Sequence, residues 1–282
     1  MKASLTKKIC IYLGALVLAT VIAVPVLWLF IMSISSSTHL TTLPLQWWPD
    51  EPTFENYRNL LVFAENSPSA SFLYGIRNSI IIAFAATGLS IIAAIPAAYS
   101  FSRLPGPRRK NLLYAVIAIF MLPPVAIVLP LYTVMSALGL LNTHFALIIV
   151  YCSILLPFTT WLLKSNFDTI PGDLDEAPII DGANRLQAIW YVILPIARPA
   201  LGAAVMMAVL LAWDEFFYGL LFTNDIRAKT ITVAIADLAA GRVADYGLIS
   251  AAGILAAVPP VILAFFMQKT LVSGLASGSV KG

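Results

Sequence analysis

Charge is what this sequence has least of. Only 11% of its 282 residues are Asp, Glu, Lys or Arg, while 60% are hydrophobic; a soluble globular domain carries about 25% charged residues. No packing of a chain this long hides so much apolar surface from water, so lipid is expected to be its main solvent. The net charge of +3 is small and scattered, which excludes a nucleic-acid surface. Cysteine and histidine are nearly absent, at two each. Cys10 and Cys152 lie far apart, in or beside apolar runs, with no CxxC neighbour and no histidine at ligand spacing. They read as unrelated buried thiols. His39 and His144 are isolated and fall in predicted loops, so neither a metal site nor an activated nucleophile is expected, and the chain does not read as an enzyme. A G-x-x-x-x-G-K-[ST] phosphate loop is also missing, so the chain cannot hold a nucleotide in that way.

What the sequence has in quantity is apolar runs. Runs of about 20 residues suit membrane helices, and six are expected: 9–34, 80–99, 112–134, 145–163, 199–222 and 247–267. The chain thus reads as a single all-α transmembrane domain over 1–282. The first run follows Lys2, Lys7 and Lys8 and is longer than a signal-peptide core, so it is expected to stay as an uncleaved span. Pro123, Pro124 and Pro130 interrupt the third, which is expected to be a kinked helix beside a cavity.

Lysine and arginine collect on the inner side of a membrane. With a cytoplasmic N-terminus, the inside carries Lys2, Lys7, Lys8, Arg103, Arg108, Arg109, Lys110, Lys164, Arg185, Arg198, Lys269 and Lys281, and the outside Arg58, Arg77, Arg227, Lys229 and Arg242. That imbalance predicts both termini in the cytoplasm. The stretch 35–77 is then an outer loop. Within it, Trp47 and Trp48 suit the headgroup level, and an amphipathic piece is expected around Phe54, Tyr57, Leu60 and Leu61. Either an interfacial loop or a surface for an external protein would have this pattern.

Between the fourth and fifth spans, on the inner side, lies a polar segment at 165–198 that contains "EAPIIDGANRLQAIWYVILP". It reads as a short helix, a corner and a second short helix. Asp173 or Asp175 is expected to cap the first helix, with Glu176 early in it, where negative charge is favoured. Pro178 is tolerable only in a first turn, so this helix is expected to begin near Asp175. Gly182, followed by Ala183, lets the backbone turn tightly and approach a partner closely. Leu186, Ile189, Trp190, Ile193 and Leu194 have helical spacing and are expected to lie on the bundle. Pro195 and Pro199 mark re-entry into the membrane. The segment could lie on lipid headgroups, but its front is acidic at Asp168, Asp173, Asp175, Glu176 and Asp181. Anionic lipid repels such a surface, whereas a basic cleft on a protein would attract it.

The fifth span holds "WDEFFYGL", with Asp214 and Glu215 inside an apolar run. An ionised acid at mid-membrane costs about 2.5–3.5 kcal/mol, and no lysine or arginine lies mid-span to offset two of them. Consecutive helical residues diverge by about 100°, so at least one acid is expected to face water or a neighbouring subunit. Trp213, Asp214, Glu215, Phe216 and Tyr218, with Asn78 of the second span, are candidates for a solute pathway: rings cover the apolar faces of a sugar while acids accept its hydroxyl protons. A structural hydrogen bond to a neighbouring helix or subunit is the other reading of the two acids.

"EAPIIDGANRLQAIWYVILP" resembles the EAA loop of ABC importer permeases: Glu176, Ala177, Gly182, Leu194 and Pro195 fall on the motif, "DGA" at Asp181–Ala183 matches its usual filling, and Pro178 replaces the second alanine. "WWPDEPTFENYRNLL", "RNSIIIAF" and "WDEFFYGL" also resemble the MalG-type carbohydrate permeases. The resemblance implies a permease fold with a cytoplasmic coupling helix, in a bacterial plasma (inner) membrane. It implies ATPase coupling through Glu176, Ala177, Pro178, Asp181, Gly182, Ala183, Leu194 and Pro195, and sugar import by alternating access. The implied partners are a second homologous permease, two copies of a cytoplasmic ABC ATPase that bind ATP and Mg, and an extracytoplasmic sugar-binding protein; this chain would carry no cofactor. The competing expectation is an ion-gradient-driven secondary transporter or channel using Asp214 or Glu215.

Overall fold

The computed structural model describes residues 5–41, 47–65, 67–241 and 244–279. Of the charges that set the orientation, Lys2, Arg242 and Lys281 lie outside these residues, as does the side chain of Lys269. No strand occurs among the described residues. The helices in order are α1 (Leu5–Ser33), α2 (Ser37–Thr41), α3 (Glu55–Leu61), α4 (Pro68–Arg103), α5 (Arg109–Phe120), α6 (Pro124–Ala137), α7 (His144–Phe167), α8 (Asp173–Ile180) and α9 (Arg185–Ala188). A π-helical turn at Ile189–Ile193 leads into α10 (Leu194–Ile196), α11 (Arg198–Trp213), α12 (Phe217–Phe222), α13 (Ile231–Ala239) and α14 (Tyr246–Ser279).

Four of these are continuous, apolar and long enough to cross a bilayer: Lys7–Ser33, Pro68–Arg103, His144–Phe167 and Tyr246–Gln268. Two further helix pairs meet that test only together, Arg109–Phe120 with Pro124–Ala137 bent by 90°, and Arg185–Ile196 with Arg198–Trp213 bent by 86°. The chain is therefore a multi-pass membrane protein, with four continuous candidate spans among the described residues, or six if each bent pair is one. The region expected as a third, kinked span (112–134) is a sharper structure, two helices at a right angle. Proline disfavours the α conformation of the residue before it, and Pro123, which precedes Pro124, is extended at ψ 132°. The run expected at 199–222 likewise stops at Trp213 and resumes at Phe217.

The described residues form two compact units, one of 1–73 with 234–258 and one of 74–233 with 259–282. In the first, the amide of Asn56 on α3 donates to the carbonyls of Ser33 and Ser35, each at 3.0 Å. These carbonyls follow the last turn of α1, where intrahelical donors run out. The hydroxyls of Tyr57 and Ser33 share a hydrogen bond at 2.6 Å. A Cβ on Gly247 would stand 2.7 Å from Asn56 Nδ2 and 2.8 Å from Ser35 O, so only glycine lets α14 pass this close. Of the apolar residues expected to line one side of this piece, Leu60 is buried, Tyr57 half-buried, and Phe54 and Leu61 exposed. Polar contacts, more than an apolar stripe, set its position.

The second unit has two apolar clusters. One joins Ile82, Ala83 and Ala86 of α4 to Leu147, Val150, Tyr151 and Leu155 of α7, to Ala208, Val209 and Ala212 of α11, and to Tyr218 and Phe222 of α12. The other gathers Ala94, Ala98 and Tyr99 of α4, Leu163 and Phe167 of α7, and Ile189, Ile193, Leu194 and Ala197. Alanines at these crossings let helix backbones approach closely, as membrane helices must when lipid gives no hydrophobic drive for association.

Candidate functional site: the polar loop after α7

The loop departs from its expected form at the start. Helix α8 begins at Asp173, two residues before the expected Asp175, and its N-cap Gly172 makes no side-chain cap bond. Neither Asp173 nor Asp175 caps it; both sit in its first turn with Glu176, where their charge favours the positive end of the helix dipole. Pro178 is consequently the sixth helical residue, not a first-turn residue. The carbonyl that its missing N–H would have met belongs to Leu174, which is exposed, so water can complete the pairing.

The corner that ends α8 is closed by backbone bonds. The Ala183 N–H donates to Pro178 O at 2.9 Å and the Gly182 N–H to Ile179 O at 3.1 Å. Gly182 has φ +91°. These two bonds with a left-handed residue between them form a Schellman ending, in which glycine has no Cβ penalty. A Cβ at Gly182 would meet nothing within 4 Å, so within this chain the position needs glycine for its backbone angle and not for space. A feature missed in the sequence follows at once. Asn184 Oδ1 accepts from the Gln187 N–H at 2.9 Å, and Gln187 Oε1 accepts from the Asn184 N–H at 2.7 Å. This capping box starts α9, and its signature, Asn followed three residues later by Gln, was legible in "NRLQ".

The second half of the segment turns its faces differently from a regular α-helix. Ile189, Ile193 and Leu194 are buried as expected, but Leu186 is 62% and Trp190 63% exposed. The π-helical turn at Ile189–Ile193 adds a residue per turn and shifts which side chains face the core. Among the residues matched to the EAA motif, Glu176, Ala177, Asp181, Gly182 and Pro195 are exposed, Pro178 and Ala183 half-buried, and Leu194 buried. Ile180, at the corner, is 83% exposed. The result is an acidic, apolar-tipped corner standing clear of the rest of its own unit.

The residues around Asp214 and Glu215 are brought together, with divided roles. Helix α11 ends at Trp213, and the two acids occupy the break before α12. Asp214 is exposed. Glu215 turns inward: Oε1 accepts from the Tyr218 N–H at 3.0 Å and Oε2 from the Gly219 N–H at 3.2 Å, so its carboxylate satisfies the free donors at the start of α12. Its carbonyl accepts from Thr232 Oγ1 at 2.8 Å. Tyr218 is buried in the apolar cluster, Trp213 is also buried, and Phe216 is exposed.

Asn78 hydrogen-bonds to other groups than the two acids. It is 1% exposed, its amide donates to the carbonyls of Arg227 and Lys229 at 2.8 and 2.9 Å, and its Oδ1 pairs with His144 Nε2 at 2.9 Å. Beside it, the Ile231 N–H donates to Ser79 Oγ at 2.9 Å. Asn78 thus fastens the segment after α12, and no polar atom on it remains free. Among the described residues, no group of three or more His, Cys, Asp or Glu could hold a metal ion.

Residues 86–277 match the family described as binding-protein-dependent transport system inner membrane component. The chain is 34% identical over its full length, and the full length of the relative, to the trehalose/maltose transport system permease protein MalG of Thermococcus litoralis. It is 36% identical to the sulfoquinovosyl glycerol transport system permease protein SmoH of Agrobacterium fabrum, covering 92% of this chain and 88% of that one. Among solved structures, a chain of a bacterial ABC transporter involved in the import of the acidic polysaccharide alginate superposes with a TM-score of 0.78 at 22% identity, over 95% of this chain and 99% of that one. That likeness establishes the fold of an ABC importer permease. The chain is a transport permease and not an enzyme: it belongs to the binding-protein-dependent transport system inner membrane components, as a permease of the MalG type.

Proposed function

We propose that this chain is one permease subunit of an ATP-driven importer that moves a sugar or sugar-like solute across the plasma membrane by alternating access. The supporting observation is the corner at 173–188. Exposed Asp173 and Glu176 in the first turn, a glycine-turned Schellman ending and an exposed Ile180 form a polar knob with an apolar tip, the shape and charge that a basic groove on a separate ATPase would hold. Glu176 is the acid offered to that partner. The chain supplies no phosphate loop, so hydrolysis of ATP with Mg takes place on two ATPase subunits against which this knob and that of a second, homologous permease are seated. Both termini and the knob face the cytoplasm, and an extracytoplasmic binding protein delivers the solute from the other side. The similarity to permeases named for trehalose, maltose and sulfoquinovosyl glycerol supports a carbohydrate-like cargo and, with the inner-membrane family, a bacterial-type plasma membrane. Asp214 and Phe216, both exposed at the break in the fifth span, are the pathway residues of this proposal; Glu215, whose two oxygens cap α12, and the fully bonded Asn78 shape the wall.

The test is reconstitution of the complete complex in liposomes, with the binding protein carrying the solute it retains on isolation. Uptake is expected to require ATP on the ATPase side and to survive collapse of proton and sodium gradients. Uptake by the permease alone, driven by a gradient, would refute the assignment and favour a secondary transporter.

A further inference from the structure

Two neighbouring acids of α8 point in different directions. Glu176 is exposed, whereas Asp175 is 3% exposed, as the rotation of about 100° between successive helical residues requires. Asp175 is turned toward the end of α4. Its Oδ1 lies 3.2 Å from Arg103 Nε, an ion pair with side chains 5% and 14% exposed, and its Oδ2 accepts from the Tyr99 hydroxyl at 3.0 Å. Arg103 also donates from Nη2 to Ile170 O at 2.6 Å, and Ser102 Oγ donates to Asp168 Oδ1 at 2.8 Å. The last turn of α4 therefore holds the loop at residues 168, 170 and 175. Asp173, Glu176 and Asp181 make no ion pair among the described residues.

A buried ion pair contributes little to stability that apolar packing would not, because desolvation offsets its attraction; its best-attested use is to fix register. Here the surrounding contacts, Ala98 and Tyr99 of α4 with Phe167, Ile170, Ile189 and Ile193, are apolar and would tolerate a slip. The pair and the hydrogen bond set one distance and one direction between α8 and α4.

We propose that the Asp175–Arg103–Tyr99 contact is the joint that carries displacement of α8 into the second span, with Asp175 as a positioning residue on a different face of the helix from Glu176; this rests on the docking reading above. The test uses the complete complex in liposomes and reads ATP hydrolysis with and without the binding protein carrying its retained solute. Asp175→Asn and Arg103→Met are expected to retain the ATPase and basal hydrolysis but to lose stimulation by the binding protein about tenfold, within the range of coupling between linked sites. The exchange Asp175→Arg with Arg103→Asp, which re-forms the ion pair, is expected to restore much of it. If either single substitution blocks assembly, Tyr99→Phe decides, since it removes one hydroxyl; stimulation equal to the unaltered complex there overturns the joint. Glu176→Lys separates the two readings. Release of the ATPase by that variant, with full stimulation in Asp175→Asn, sinks the joint alone. An ATPase that stays bound and fully coupled in Glu176→Lys sinks the docking assignment beneath it.

Discussion

Gly182 offers a test that separates two reasons for a glycine. One reason is external: a partner passes so close that no side chain fits. The other is internal: φ is +91°, where an L residue pays roughly 1–3 kcal/mol of strain. At about 1.4 kcal/mol per factor of ten, that lowers the population of the intact corner by about five- to more than a hundredfold. Nothing stands within 4 Å of a Cβ here, so inside this chain the whole cost is conformational. The two reasons order the substitutions differently. Asparagine tolerates left-handed backbone better than alanine, and a β-branched residue tolerates it worst. The internal reason therefore predicts transport declining as Gly, Asn, Ala, Val, whereas steric exclusion by a partner predicts Gly, Ala, Asn, Val, by volume. ATP-dependent uptake by the reconstituted complex gives the ranking. Hydrogen exchange at the Gly182 and Ala183 amides, which donate to Ile179 and Pro178, should rise in parallel. Uptake by the Ala variant equal to or above that of Asn would refute the backbone argument.

Three further outcomes follow from the bonds around the two break regions and the loop. Asn184→Ala removes a capping box and should cost about 1 kcal/mol, seen as faster amide exchange at Gln187 with α8 unaffected. Glu215→Gln exchanges an anionic acceptor of two N–H groups for a neutral one and should destabilise the purified complex by about 1–2 kcal/mol in thermal melts, while Asp214→Asn, at an exposed position, should leave the melt unchanged and lower uptake; a melt shifted by Asp214→Asn and not by Glu215→Gln would reverse the division of roles. Asn78→Leu strands the carbonyls of Arg227 and Lys229 and should cost about 2–3 kcal/mol, measured as a lower melting temperature.

The sequence was most legible where the signal was local. Length and composition of the apolar runs pointed to a helical membrane protein, and a helix–corner–helix order was readable from Gly182 and the prolines, because turn chemistry belongs to a few adjacent residues. Where the structure differs from the sequence pattern, the cause lies elsewhere in the chain or in the backbone. Proline's helix cost taken alone puts the start of α8 near Asp175; the Schellman closure shelters Pro178 near the C-terminal end, and the helix starts at Asp173. A period of 3.6 turns Leu186 and Trp190 inward; the π-helical turn at Ile189–Ile193 breaks that period, and both are exposed. The capping pair at Asn184 and Gln187 is itself local and is written in the sequence as "NRLQ".

The solvent, the helical class and the existence of a polar knob were settled by the order of residues alone, since burying apolar surface in lipid and ending a helix at glycine require no distant partner. The roles of the acids were not. Asp175 and Glu176, like Asp214 and Glu215, are adjacent and alike as text; which one turns inward depends on Arg103 and Tyr99 about seventy residues away, and on the donors freed where α12 begins. A carboxylate's charge is fixed by its covalent structure, but the group that answers it arrives only when helices distant in the chain pack side by side.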